Sequence, residues 1–264
     1  IRKISGAVLK LTKWIEQSKN TKEFFNSLEF PQRKKPLCDS DALLMDVDVP
    51  TVMFCSVISN SSSDDLNNLF TEAMKELGGK IDFVLHSIGM SVNVRKGNPY
   101  FEQNYDYTMK GFDVSALSFH KVMQALYQGD AMNEWGSIVA LTYMAAQRVF
   151  PDYNDMADNK AYLESIARSF GYFFGRDKKV RVNTISQSPT PTTAGQGVKG
   201  FDGFIAYAEK MSPLGNATAL DCANYTVTLF SDLTKRVTLQ NLYNDGGFSN
   251  MGVSDAVMEH FIEE

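Results

Sequence analysis

Between Ser63 and Gly247 the chain switches repeatedly between a helical and an extended hydrophobic period, and this alternation limits its fold more than any other feature. "SSSDDLNNLFTEAMKELGG" sets hydroxyl side chains and two aspartates ahead of Leu66, Leu69, Phe70, Ala73 and Leu77 at helical spacing, then stops at Gly78 and Gly79. "KIDFVLHSIGM" follows as a short, nearly continuous apolar run, the pattern of a strand covered on both faces. A helical stretch around Phe112 to Tyr127 leads to the strand "GSIVALTY". A second, about Asn154 to Phe174, leads to "VRVNTIS", and a third, about Leu220 to Phe230, leads to "TLQNLYNDGG". Strand and helix in alternation predict βαβ units on a parallel sheet, with right-handed crossovers placing helices on both faces. The expected fold class is α/β, a doubly wound parallel sheet (Rossmann-like), with residues 1–264 as a single domain.

Composition narrows the function. Of the 264 residues 44% are hydrophobic, enough for a sizeable core, and the formal charge of −5 argues against a nucleic-acid binder. No apolar run approaches the roughly 18 residues of a membrane span, and the first residues lack a signal-peptide pattern. Cys38, Cys55 and Cys222 have no paired spacing, which fits a reducing, cytoplasmic setting. His86, His120 and His260 are scattered, so no metal site is implied.

Two regions break the rhythm. Residues 190–215, "TPTTAGQGVKGFDGFIAYAEKMSPLG", hold five glycines and two prolines around a short amphipathic run from Phe201 to Met211. That composition predicts a long excursion with a small helix, which serves as a lid. Residues 1–58 lack the apolar strand and glycine-rich turn that open a dinucleotide-binding fold, and the first thirty read instead as amphipathic helix. A start at Ile1 rather than methionine fits a fragment or an altered gene start.

The chemistry concentrates in "YMAAQRVFPDYNDMADNKAYLES", residues 143–165. Tyr143 ends a strand at the carboxyl edge of the sheet, where ligands of open α/β folds bind. Tyr153 stands at the start of the next helix, and Lys160 lies about two turns further on nearly the same face. An ammonium close to a phenol lowers the phenol's pKa, so this spacing predicts a Tyr153 tuned by Lys160 to donate a hydrogen bond or proton. On the same helix Ala157, Ala161, Ser165 and Ser169 form a small-residue face open to a second subunit, while Leu163, Ile166, Phe170 and Phe173 are the stripe expected to face the sheet.

Tyr143, Tyr153 and Lys160 at this spacing resemble the enoyl-acyl-carrier-protein reductases, a branch of the short-chain dehydrogenase/reductase superfamily. That branch separates tyrosine and lysine by six residues, rather than three, and adds a tyrosine ten positions upstream. "HSIG" at 86–89, "VRVNTISQSPTPTTAG" and "YNDGGFS" also match it, and "HSIGMSVNVRK", "ARSFGY" and "VTLQNLYNDGGFS" are similar to the Bacteroidetes-type enzymes. The resemblance covers roughly residues 59–253. It implies hydride transfer from NADH to a trans-2-enoyl thioester carried by acyl carrier protein, in fatty-acid elongation. It implies Tyr143, Tyr153 and Lys160 as catalytic residues, with Tyr143, Tyr153 and Ser91 touching substrate. Ile88, Lys160 and the run Thr190, Pro191, Thr192, Thr193 and Ala194 are implied to hold NADH, and Gly195 to Met211 to close as the lid. It also implies a homotetramer or homodimer. Arg95, Lys96, Lys199 and Lys210 are candidates to meet the acidic carrier protein. The family's pyrophosphate-binding turn has no match in residues 1–58, and Ser59 aligns with the adenine-contacting aspartate; the alternative is therefore an inactive, reductase-like assembly partner.

Overall fold

The computed structural model describes residues 52–54, 63–190 and 200–262. The amphipathic N-terminal stretch, the question of a first pyrophosphate turn, and residues 191–199 lie outside them. Within the described residues five strands form one sheet in sequential order. They are β1 (Val52–Phe54), β2 (Ile81–His86), β3 (Met132–Thr142), β4 (Arg181–Gln187) and β5 (Asn241–Asn244), and every neighbouring pair is parallel. Sequence patterning gave no sign of β1.

Helices fill each crossover. They are α1 (Ser63–Leu77), α2 (Val92–Lys96), α3 (Tyr105–Phe112), α4 (Ser118–Gln128), α5 (Asn154–Lys178), α6 (Phe201–Met211), α7 (Ala219–Phe230) and α8 (Asp255–Ile262). A π-helical turn, Asp113–Leu117, joins α3 to α4, so the single helix expected around 112–127 is the second half of a longer, interrupted one. α1 ends where expected because Gly78 takes φ 71°, a conformation costly for any side chain. α7 opens on a capping box in which Thr218 and Asp221 each bond the other's backbone N–H.

Neighbouring strand residues serve opposite faces, which explains the unbroken apolar runs. Val84, Ile138 and Val182 join α1, α4 and α5 in one core with Leu66, Phe119, Leu126, Leu163 and Phe174. Leu85, Val139 and Ile185 point the other way and pack on Cys222, Leu229 and Phe230 of α7. Each fully buried side chain of this size contributes about 1.5–3 kcal/mol. On α5 the sheet-facing stripe is Leu163, Ile166, Phe170 and Phe174; Phe173, expected to face the sheet, is 44% exposed. Phe174 lies about three turns from Leu163 and so returns to its face, whereas Phe173 falls at the margin.

Candidate active site

The strand register brings one end of the sheet into line. His86 pairs with Ala140, Thr142 with Ser186, and Gln187 with Asn244, so the chain leaves β2, β3, β4 and β5 along a common carboxyl edge. Tyr143 follows β3 directly in an extended conformation. Tyr153 closes a 3₁₀ turn, Pro151–Tyr153, at the head of α5. Their rings lie 5.2 Å apart, and Phe150 stands 5.4 Å from Tyr143. Phe204, Ala208 and Met211 of α6 close over this pair with Met144 and Phe248. The Tyr143 hydroxyl is buried with no hydrogen-bond partner among the described residues, and the Tyr153 hydroxyl has none among them either.

Two phenols without partners in an apolar cluster are held in the neutral form. Burial raises the pKa of Tyr153, and burial followed by the neighbouring Tyr153 and Asp245 raises that of Tyr143. This corrects the expectation that Lys160 lowers the Tyr153 pKa. The ammonium of Lys160 is directed to the Leu141 carbonyl, 2.8 Å away, and loss of water around the phenol decides the outcome.

Lys160 is only 7% exposed, and burial lowers its pKa to about 8 against the opposing pull of Glu164. The Glu164 carboxylate accepts hydrogen bonds from Thr142 (2.9 Å), Gln147 (3.0 Å) and Asn241 (3.2 Å), and so ties α5 to the ends of β3 and β5. Gly89, in the turn after β2, lies flat against this lysine. A Cβ there would stand 2.6 Å from Met156 Cε, so a larger residue would push the end of that side chain aside, and 3.5 Å from Lys160 Nζ, an ordinary contact.

His86, at the end of β2, is fully buried. Ser118 Oγ donates to the Val114 carbonyl at 2.6 Å, so it accepts from His86 Nε2 at 2.9 Å; the histidine is the Nε2–H tautomer, with a buried, unpartnered Nδ1. Burial first, then the charge of Lys160, lower its pKa to about 3. A folded pKa below the unfolded value near 6.5 gives stability that is present above pH 6.5 and lost as the pH falls toward 3. Between pH 7 and pH 4 the chain should lose about 3 kcal/mol from this residue. Urea unfolding of wild type and His86→Gln across that range checks it: the wild type should show the steeper loss, and equal slopes would contradict it.

The remaining expected site residues divide. Ile88 packs against the core beneath the edge. Ser91 caps α2: its hydroxyl accepts from Val94 N at 3.0 Å and donates to Asp155 at 2.5 Å, while Asn93 reaches the other carboxylate oxygen at 3.0 Å. Its side chain therefore links α2 to the head of α5. Thr190 lies beyond β4 and donates to the Ser188 carbonyl at 2.9 Å. Pro191, Thr192, Thr193 and Ala194 lie outside the described residues, as does Lys199. The structure adds Phe150, Phe204 and Phe248 to the tyrosine pair, and Asn154 and Asp155 beside it. The only trace of the latter in the sequence is a polar run, "NDMADNK", on a helix whose start is buried.

At this edge the Lys160 ammonium bonds the Leu141 carbonyl, Gly89 lies close to it, and the buried Tyr143 hydroxyl has no hydrogen-bond partner among the described residues. The chain matches the family model described as "Enoyl-(Acyl carrier protein) reductase" over residues 43–249. It is 34% identical over 179 residues to enoyl-[acyl-carrier-protein] reductase [NADH] 2 of Rhizobium meliloti, a match covering 67% of this chain and 66% of that protein's length. The crystal structure of the FabI–NADH complex from Alistipes finegoldii matches with a TM-score of 0.73 and 63% identity, covering 75% of this chain and 70% of the other. The Aquifex aeolicus enoyl-[acyl-carrier-protein] reductase (NADH) matches at 29% identity and a TM-score of 0.67, over 73% of this chain and 74% of that one. With the tyrosine pair and the lysine on the carboxyl edge of a Rossmann-like sheet, the chain belongs to the enoyl-acyl-carrier-protein reductase family of the short-chain dehydrogenase/reductase superfamily.

Proposed function

We propose that this chain reduces the trans-2 double bond of enoyl thioesters carried by acyl carrier protein, with NADH as reductant, in fatty-acid elongation. The observation that carries the reading is the tilted pair Tyr143 and Tyr153, whose hydroxyls have no hydrogen-bond partner among the described residues, at the same sheet edge as the buried ammonium of Lys160 on the Leu141 carbonyl. Bound NADH supplies the hydride that adds to the β-carbon. The Tyr153 hydroxyl donates a hydrogen bond to the thioester oxygen where negative charge develops, and its raised pKa keeps that donor protonated. Lys160 uses its remaining donors for the ribose hydroxyls of the nicotinamide half. Tyr143, Phe150 and Phe204 form the apolar wall that excludes water from the reacting carbons. Ile88 and residues 190–194 hold the nicotinamide half, Ser91 fixes the segment facing the substrate, and residues 190–215 close as the lid of a single domain.

The carrier protein approaches past Arg95 and Lys96, which end α2. A homotetramer or homodimer forms through the outer face of α5, where Ser165 and Ser169 are exposed beside Tyr162 and Tyr172. No helix among the described residues is long and apolar enough to cross a membrane, and we place the enzyme in the cytoplasm. Mixing the protein with NADH and crotonyl-CoA should lower the absorbance at 340 nm. No NADH consumption by protein with an intact circular-dichroism spectrum would overturn the reading.

A further inference from the structure

One residue beyond Tyr153 the backbone is strained. Asn154 takes φ 44°, ψ −139°, a conformation left mainly to glycine, and it does so 3% exposed at the joint between a 3₁₀ turn and α5. Such a geometry persists only when its surroundings over-determine it, and here all three bonds come from one carboxamide. Asn154 Oδ1 accepts from its own following amide, Asp155 N, at 2.5 Å and from Gln103 Nε2 at 2.6 Å. Its Nδ2 donates to the Asn98 carbonyl at 2.6 Å. The partners are anchored in turn: Gln103 accepts from Thr108 at 2.9 Å, and Asn93 Oδ1 accepts from Asn98 at 2.8 Å and from the Asn104 amide at 3.1 Å. Asp155 adds its bonds to Ser91 and Asn93. The segment after β2 and the head of α5 are thereby joined by buried and half-buried polar groups on one side of Tyr153. On its other side the Tyr153 amide bonds the Phe150 carbonyl at 3.0 Å.

We propose that Asn154 is a positioning residue for the Tyr153 hydroxyl, its carboxamide holding the strained joint that aims the phenol at the substrate oxygen. The inference rests on the role given above to Tyr153. Uninterrupted entry into α5 would need no left-handed residue, so the bend has a use beyond starting the helix. It turns the chain so that the Tyr153 ring lies on Tyr143 while α5 continues beneath the sheet. A donor within a few tenths of an ångström of its productive place is far more effective than one that wanders.

Asn154→Gly separates positioning from folding, because glycine adopts this backbone freely while losing all three bonds. With the full chain, kcat for crotonyl-CoA should fall at least tenfold, while the NADH Kd and the thioester KM stay within about twofold of wild type. Gln103→Leu, which removes one partner without touching α5, should shift kcat in the same direction by less. Protein labelled with 3-fluorotyrosine gives a readout free of turnover, with the Tyr153 resonance assigned by Tyr153→Phe. That resonance should be narrow in wild type and broadened, split or displaced in Asn154→Gly. Wild-type kcat in Asn154→Gly, or an unchanged Tyr153 resonance, would overturn the proposal. If the wild type consumes no NADH the assigned reaction fails, and the fluorine spectrum alone then decides the positioning role.

Discussion

Tyr153→Phe should lower kcat for an enoyl thioester by about 10²–10³-fold, with the NADH Kd within about twofold of wild type. The expectation follows from the position of the hydroxyl. Tyr153 packs on the aromatic cluster and its hydroxyl has no partner among the described residues, so removing it breaks no hydrogen bond among them. What is lost is a donor aimed where charge appears only as the reaction proceeds, and such a loss falls on kcat rather than on ground-state binding. Single-turnover and steady-state kinetics with fluorescence titration of NADH measure the two quantities separately. A loss under threefold would remove Tyr153 from the reaction. A parallel loss of NADH affinity would instead make it a cofactor-site residue.

The second large effect divides activity from stability. Lys160→Met should weaken NADH binding about 10–100-fold, the value of one or two charge-assisted hydrogen bonds at about 1.5–3 kcal/mol. Thermal stability at pH 7 should nevertheless rise by a few degrees. The folded pKa of Lys160, about 8, lies below its ordinary 10.5, so the stability linked to it is present above pH 10.5 and lost as the pH falls toward 8. At pH 7 the buried ammonium therefore carries its full cost, about 3 kcal/mol. Methionine removes that cost, keeps most of the volume, and gives up the bond to the Leu141 carbonyl, worth about 1 kcal/mol. The gap in melting temperature between variant and wild type should close between pH 8 and 10.5. An unchanged NADH Kd would contradict the ribose contact, and a lower melting temperature at pH 7 would mean that the ammonium stabilises the fold.

A charged group kept at a net cost to stability is what the proposed role of Lys160 would require of the fold. The same logic joins Lys160 to its surroundings. Its field helps to keep His86 neutral, Glu164 offsets part of its burial, and Gly89 lies close against it. These residues come from β2, the loop after it and α5, and they meet only because the parallel register aligns the strand ends.

Much of this was legible from residue order because the evidence is local. Helix α6 at Phe201–Met211, α7 at Ala219–Phe230 and strands β2 to β5 follow from periodicity, caps and breakers that act within a few residues. The spacing of Tyr143, Tyr153 and Lys160 likewise reports on one strand end and one helix start. Strand β1 escaped because a run as short as "VMF" carries no period, and the π-turn because its interruption of the helix leaves the apolar spacing almost intact. Phe173 was read as core in place of Phe174, since one residue's rotation on a helix separates margin from face.

Residue order alone thus determined the alternating architecture and the placing of Tyr143 at a strand end and Tyr153 at a helix start, all written in short-range patterns. Tertiary structure alone decided how those side chains behave. It set the Tyr153 pKa upward instead of downward, gave the Ser91 hydroxyl to Asp155, and bent the backbone at Asn154. Ionisation, hydrogen-bond choice and strain depend on which groups lose water together, and segments far apart in the chain meet only in the folded molecule.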